Sequence, residues 1–343
     1  LVLLSSALSV GGVFGACLHQ KAIEAIMTQL HVIFGTGAAG AAAMRALVKM
    51  GMRVRMVNRS GKPSLATGDA LPPGVEIVRG EATDPASTTA LTTGAAAVYQ
   101  CSQPEYHEWV HGFPPIQAGV LAGAAANGAK LVLLENLYPY GNTGGAPIHE
   151  GLPDAPHTVK GRVRAQMHAA AMRAHAAGEL KVTALRPSDY YGMGYMVTAD
   201  QVFYPALAGK PVSGIGSLDV PHSFTYTEDV GRALAILGTD DRADGRAWIA
   251  PTAPAITQRQ MFTLICQLAG THGRMSGITT LMMRMAGLFM PAAREMIEMM
   301  YEFNQPFIVD SSAFTRTFGM EPTPIEQGLA ETLAWFRAHP RTA

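Results

Sequence analysis

The sequence predicts a doubly wound α/β fold: a parallel sheet with helices on both faces, and a smaller C-terminal lobe that carries substrate. Three observations support it. From His31 to about Leu185, short apolar runs of strand length alternate with Ala-rich stretches of helical pattern. Gly35, Gly37 and Gly40 stand in G-x-G-x-x-G spacing, just after the first apolar run and at the start of the first helical one. From Ile256 onward helical patterns dominate, with no internal repeat and no long linker.

The elements follow in chain order. "LVLLSSALSVGGVFGAC" is apolar for about the length of a signal-peptide core but lacks a basic start. It is shorter than the roughly 20 residues of a membrane span. "FGAC" loosely resembles a lipoprotein cleavage site; the preferred reading makes residues 1–26 a leader or disordered arm and starts the domain at Met27. The apolar runs "HVIF", "RVRMV", "VEIV", "AAVYQ", "KLVLL" and "KVTAL" predict six strands. Helical stretches such as "AGAAAMRALVKM" and "QAGVLAGAAANG" separate most of them, while a Gly- and Pro-containing loop follows "RVRMV". Alternation of this kind implies parallel pairing. Residues 27–186 are thus expected to bind a dinucleotide. Residues 187–343 form the substrate lobe, with Gly-, Pro- and Tyr-rich loops over a site between 186 and 230.

The totals exclude several classes of function. Of 343 residues, 48% are apolar and 15% charged, with no net charge. A core is easily filled, and neither a nucleic-acid footprint nor a polybasic membrane surface is present. Small molecules and cofactors remain as partners. Cys17, Cys101 and Cys266 form no CxxC pair, which fits a reducing, cytoplasmic setting. His107, His111, His149 and His157 make no metal signature, so no metal is expected. "REMIEMMYEF" is Met-rich at helical spacing and suits core packing or the face of a homodimer.

The glycine loop has a physical reading. Gly35 permits the tight turn, Gly37 lets backbone approach a pyrophosphate, and Gly40 allows close helix–sheet packing. The N–H groups of the loop (Gly35, Thr36, Gly37, Ala38, Ala39, Gly40) and the helix dipole then favour phosphate charge. The second strand ends in Asn58 and Arg59, where a carboxylate would select NAD. A guanidinium can pair with a 2′-phosphate, so NADP is expected, with NAD the alternative; Arg59 as a solvated loop residue is the plain reading. Asp84 either accepts from the adenine amino group or caps a helix that opens at Pro85. Cys101 and Ser102 follow the fourth strand at the sheet's carboxyl edge; Cys101 is either a reactive thiol or a small buried filler.

"GTGAAG", "GEATDPAS", "LLENLYPYGN", "VKGRVRAQMH", "LRPSDYYG", "HSFTYTEDVGRA" and "VDSSAFTRTFGMEPTPIEQGLAETLAW" together resemble the extended, and most closely an atypical, short-chain dehydrogenase/reductase of the NAD-dependent epimerase/dehydratase type, from Met27 to the C-terminus. The resemblance implies a Rossmann fold and an NAD(P)-dependent oxidoreductase or epimerase/dehydratase acting on a small carbonyl or hydroxyl compound. It also implies a Tyr and a Lys four residues apart on one helix face. In this chain Lys160 takes the tyrosine slot, Arg164 the lysine slot and Asn136 the slot of the substrate-polarising serine.

Three readings of that substitution remain open. Catalysis survives if Arg164 keeps a cation at the ribose, Lys160 loses its proton readily beside that like charge, and Asn136 donates to a substrate oxygen. Tyr138, Tyr140, Tyr190 and Tyr191 are then replacement acids. Alternatively the fold persists as a noncatalytic NADP-binding redox sensor, or Lys160 and Arg164 are an exposed basic pair. The resemblance also implies that Arg186 and Pro187 begin the loop along the nicotinamide, and that Tyr190–Tyr191 wall the pocket or pack between lobes. His222 is expected to face the pocket and Asp229 to brace its helix. No arginine clamp for a sugar-nucleotide diphosphate is evident in the second lobe.

Overall fold

The computed structural model describes residues 29–341. The expected leader, Cys17 and the Met27 start lie outside them. The chain runs β1 (Leu30–Phe34), α1 (Ala38–Lys49), β2 (Arg53–Asn58), β3 (Val75–Arg79), α2 (Pro85–Leu91), β4 (Ala95–Gln100), α3 (Trp109–Ala126), β5 (Lys130–Leu134), α4 (Val159–Ala176) and β6 (Val182–Arg186). It continues through β7 (Asp189–Tyr191), α5 (Tyr204–Leu207), β8 (Val212–Ile215), β9 (Pro221–His222), β10 (Phe224–Tyr226), α6 (Thr227–Thr239), β11 (Ala247–Ile249), β12 (Ile256–Thr257) and α7 (Gln258–Ala269). The final elements are β13 (Met275–Ile278), α8 (Thr280–Ala286), α9 (Pro291–Met296), α10 (Tyr301–Asn304), α11 (Ser312–Phe318) and α12 (Ile325–Ala338).

Seven strands form one sheet in the order β11-β6-β5-β4-β1-β2-β3, and every pairing in it is parallel. The six strands read from the sequence are all present. The seventh, β11, has only three residues, too few to show a pattern. Strand order reverses between β1 and β4, and the crevice outside their carboxyl ends is where such folds bind ligands. β1 is buried at all five positions, as a central parallel strand must be. Its one polar side chain, His31, bonds through Nδ1 to the Tyr99 hydroxyl of β4 at 2.9 Å.

The Ala-rich helices reflect close packing. α6 crosses α1 so tightly that a Cβ at Gly231 would lie 2.3 Å from the Ala42 backbone. Larger residues in "AAGAAAM" would separate α1 from α6. α6 and β11 therefore belong to the core of the seven-stranded sheet although they follow residue 187 in the chain. The rest of the C-terminal half builds a second core, in which Phe203 stacks on Phe336 at 4.8 Å. Asp229 ties α6 to the last segment: Thr323 donates through backbone N and Oγ1, both at 2.7 Å, and Arg232 at 2.5 Å. Met299 and Met300 of the Met-rich stretch are buried.

Candidate active site

The glycine loop lies at the switch point, between β1 and α1. Gly35 has φ +116°, and a Cβ there would lie 2.7 Å from the Cys101 carbonyl carbon. A Cβ at Gly40 would lie 2.2 Å from the Gly35 carbonyl oxygen. These two glycines bring β1, α1 and the loop after β4 into contact. Gly37 differs: a Cβ there would meet nothing within 4 Å. Its φ of −71° suits any residue, and no side chain caps the helix it starts. The absence of a side chain therefore keeps space open in front of the first-turn N–H groups of Ala38 and Ala39, as a dinucleotide pyrophosphate requires. Two further polar atoms at this edge are buried without partners, Gln100 Oε1 and Ser102 Oγ. Open space, free donors and orphaned polar atoms together fit a dinucleotide.

Asn58 is occupied with its own loop. Its amide donates to Thr36 Oγ1 at 3.0 Å and to the Lys62 carbonyl at 2.8 Å, and its Oδ1 accepts from Gly61 N at 2.6 Å. It shapes the rim of the crevice through Thr36. Arg59 lines a cavity of about 440 Å³ with Arg79, Gly80 and Glu81 at the ends of β2 and β3. Among the described residues neither guanidinium has an ion-pair partner. Arg79, inside the strand read as "VEIV" plus one residue, was not singled out from the sequence. Asp84 caps α2, accepting from Ala86 N at 3.0 Å. Burial pushes the Cys101 thiol up to about 12, which removes its reactive-thiol alternative: the thiolate is the nucleophile.

α4 carries the two substituted positions. Thr158 caps it by accepting from Gly161 N at 3.0 Å. Arg164 is 3% exposed, with its guanidinium 4.3 Å over the Phe113 ring and Nη2 donating to the Leu134 carbonyl at 3.1 Å. Its Nε has no partner, and burial draws its pKa below the usual guanidinium range. Among the described residues no carboxylate lies within ion-pair distance of it, though the Glu135 charge acts on it; it sits just beneath the carboxyl end of β5. Lys160 is fully buried, which overturns its reading as an exposed basic residue. Its ammonium lies over the Tyr106 ring at 4.7 Å and contacts Glu295 and, at 3.4 Å, Glu298. Glu298 also accepts from Val159 N at 2.7 Å and Lys160 N at 3.1 Å. Lys160 thus meets two carboxylates from residues 291–304, which lie over the start of α4.

Asn136 follows β5, and its Oδ1 accepts from Tyr138 N at 3.3 Å. The Tyr138 hydroxyl is 3.3 Å from that of Tyr106, and burial holds its pKa well above the usual phenol range. Tyr140 lies under the Arg186 guanidinium at 4.6 Å. Arg186 itself is not free for a cofactor: it donates to Glu135 at 2.9 Å and to both Asp154 oxygens at 2.8 and 3.4 Å. Glu135 also bonds His168 at 3.0 Å. Burial raises the Glu135 pKa, but Arg186 and His168 outweigh it and hold the carboxyl at about 2. This buried network braces β5 against β6, and Pro187 then leads the chain, still buried, into β7.

Strand alternation in β7 separates the tyrosine pair. Tyr190 packs in the nucleotide-binding core and lies within electrostatic reach of Cys101 and Arg164. Tyr191 points the other way, 1% exposed and stacked on Tyr226 at 5.3 Å in the second core. Its expected role as a replacement acid is overturned, since it packs away from the crevice. His222 is buried and bonds through Nε2 to Asp189 Oδ2 at 2.9 Å. Asp189, Glu295, Glu298 and Glu302 were missed from the sequence. The i, i+3, i+7 spacing of Glu295, Glu298 and Glu302 places them on one helical face and was the available signal.

The fold is similar to that of solved epimerases and dehydratases. The epimerase Mth375 from Methanothermobacter thermautotrophicus matches with a TM-score of 0.74 at 17% identity, over 91% of this chain and 93% of its own. UDP-glucuronic acid 4-epimerase from Bacillus cereus, in complex with NAD, matches at 0.73 and 15% over 91% and 99%. dTDP-glucose 4,6-dehydratase from Bacillus anthracis str. Ames, also in complex with NAD, matches at 0.73 and 15% over 90% and 97%. No curated protein sequence matches the chain. The sequence model of the NAD dependent epimerase/dehydratase family matches residues 32–249, from β1 to β11. This span takes in the glycine loop, the substituted α4 and the seven-stranded sheet, and the chain belongs to that family of enzymes.

Proposed function

We propose that the chain is an NADP-preferring oxidoreductase or epimerase-type enzyme acting on a small carbonyl or hydroxyl compound. The observation that carries this reading is Arg164. Arg164 is buried with its Nε unsatisfied among the described residues, and the Leu134 carbonyl, the Phe113 ring and the nearby Glu135 charge meet only part of its hydrogen-bonding capacity. The rest is accounted for if a ligand contributes the missing acceptor at the crevice. Gly35, Thr36, Gly37, Ala38, Ala39 and Gly40 would hold the pyrophosphate, Ser102 and Arg164 the ribose side of the nicotinamide, and Arg59 with Arg79 a 2′-phosphate. When bound, the cofactor supplies hydride acceptance and donation.

The chain's own residues would do the rest. Asn136 and Tyr138 present an amide and a hydroxyl at the end of β5, where a substrate oxygen would be polarised. Lys160 fastens residues 291–304 over the start of α4 through Glu295 and Glu298, which excludes water from the crevice. No cluster of free arginines or lysines faces this space among the described residues, since Lys160 is taken by Glu295 and Glu298 and Arg186 by Glu135 and Asp154, which supports a small substrate over a sugar nucleotide. Cofactor affinity and turnover of aldehydes and ketones with NADPH test the reading. Tight binding with turnover is expected. Tight binding without turnover supports the second reading, a redox sensor, which the occupied Lys160 favours.

A further inference from the structure

In the family's tyrosine position stands Lys160, whose ammonium is engaged by Glu295 and Glu298. The structure offers another acid. Glu302, on α10, is 1% exposed, and no Lys, Arg or His among the described residues lies within ion-pair distance of it. Its one hydrogen bond comes from the Tyr301 hydroxyl at 3.3 Å. The Tyr301 ring in turn packs edge-on against His157 at 4.6 Å.

The surroundings of Glu302 bring further acids and no compensating base. Asp189 of β7 lies within electrostatic reach, and so do the phenols of Tyr106 and Tyr138. His222 is taken by Asp189 at 2.9 Å, and its ring stacks on Phe303, the residue after Glu302, at 5.4 Å. Glu298, the remaining nearby carboxylate, faces Lys160. A buried carboxylate with these neighbours is costly, which favours the protonated form. Burial first, and the Asp189 charge second, hold the Glu302 carboxyl well above the usual carboxylate range; the Tyr301 hydroxyl pulls it down by less. One carboxyl anchored by a histidine and, within its electrostatic reach, a buried one pushed toward the un-ionised form make the pattern of an acid beside a fixed anion.

We propose that Glu302 is the proton source of this pocket, in place of the tyrosine that the family carries on α4. The proposal rests on the oxidoreductase reading above. In the reducing direction a bound reduced nicotinamide would supply the hydride, its own C–H bond breaking to leave the oxidised form, while the substrate carbon gains a C–H bond and the carbonyl π pair moves to oxygen. The O–H bond of Glu302 breaks as that oxygen takes the proton, leaving a carboxylate that regains a proton from water. The reverse direction runs these steps backward, with the carboxylate as base.

Two readouts on the whole chain test it. Infrared spectra at neutral pH should contain the carbonyl band of an un-ionised carboxylic acid, absent in Glu302→Gln and present in Glu295→Gln. Turnover of the aldehyde and ketone panel should fall about 10²- to 10⁴-fold in Glu302→Gln, with NADPH affinity unchanged and partial recovery in Glu302→Asp. A native protein without the band, or a Glu302→Gln variant turning over at the native rate, overturns the assignment. A native protein that shows the band but neither binds NADPH nor reduces any carbonyl overturns the oxidoreductase reading beneath it.

Discussion

Replacing Arg164 with methionine separates the two roles a buried arginine can have. Arg164→Met keeps much of the stem volume and removes the charge. Removing an unpaired buried charge is worth about 1–4 kcal/mol to the cofactor-free fold. Against that stand the hydrogen bond to the Leu134 carbonyl, worth about 1.5–3 kcal/mol, and the contact with the Phe113 ring, worth about 2 kcal/mol. The losses outweigh the gain in most of that range, so cofactor-free stability should change by between a gain of about 0.5 and a loss of about 4 kcal/mol. If Arg164 meets a polar group of the cofactor, the variant loses a charge-assisted bond of about 1.5–3 kcal/mol, and NADPH affinity falls roughly 10- to 150-fold. Calorimetric titration gives the affinity, and thermal unfolding with and without NADPH gives both stabilities. The expected pattern is a modestly lowered Tm without cofactor and a smaller rise with it. A variant that loses more than about 4 kcal/mol of stability while binding NADPH normally would make Arg164 a structural strut and refute the reasoning.

Other perturbations follow from the same geometry. Gly37→Ala should fold normally, since its Cβ meets nothing within 4 Å, yet bind NADPH at least about tenfold more weakly; Gly40→Ala should misfold, since its Cβ would lie 2.2 Å from a backbone oxygen. NADPH should bind more tightly than NADH, and Arg59→Ala or Arg79→Ala should narrow the gap by about 1–3 kcal/mol, measured by titration with each cofactor; equal affinities in the native protein would contradict the assignment. His31 gives a pH signature: burial lowers its pKa from 6.5 to about 4, so the unfolded chain binds its proton first. Stability should therefore fall as pH drops from 6.5 to about 4, by roughly 3 kcal/mol from this group, and level off below. Denaturant unfolding across that window should show the slope in the native protein and its reduction in His31→Gln.

The fold was legible because its signals are local. Strand-length apolar runs, the glycine spacing and the Asp-Pro start of α2 each report on a few adjacent residues, and they locate the sheet and its switch point. β11 escaped because three residues carry no period. The side chains at the site were harder to read, because their partners are remote in sequence. Lys160 meets Glu295 and Glu298 only when residues 291–304 fold over the start of α4, and Arg186 meets Glu135 and Asp154 across two loops. Both are paired cations in the fold, though the sequence presents them as free. The division of Tyr190 from Tyr191 was legible in principle, since adjacent strand residues face opposite ways. Which of the two faces the crevice depends on how β7 pairs with β10.

Deuterium transfer tests the central claim, that the substituted site still moves hydride, most directly. The protein, mixed with NADPH carrying deuterium at the reactive nicotinamide carbon and a panel of small aldehydes and ketones, should yield an alcohol with deuterium on its carbinol carbon, detected by mass spectrometry. Tight, saturable binding of NADPH with no deuterium in any product would contradict the claim and make the chain a cofactor-binding sensor.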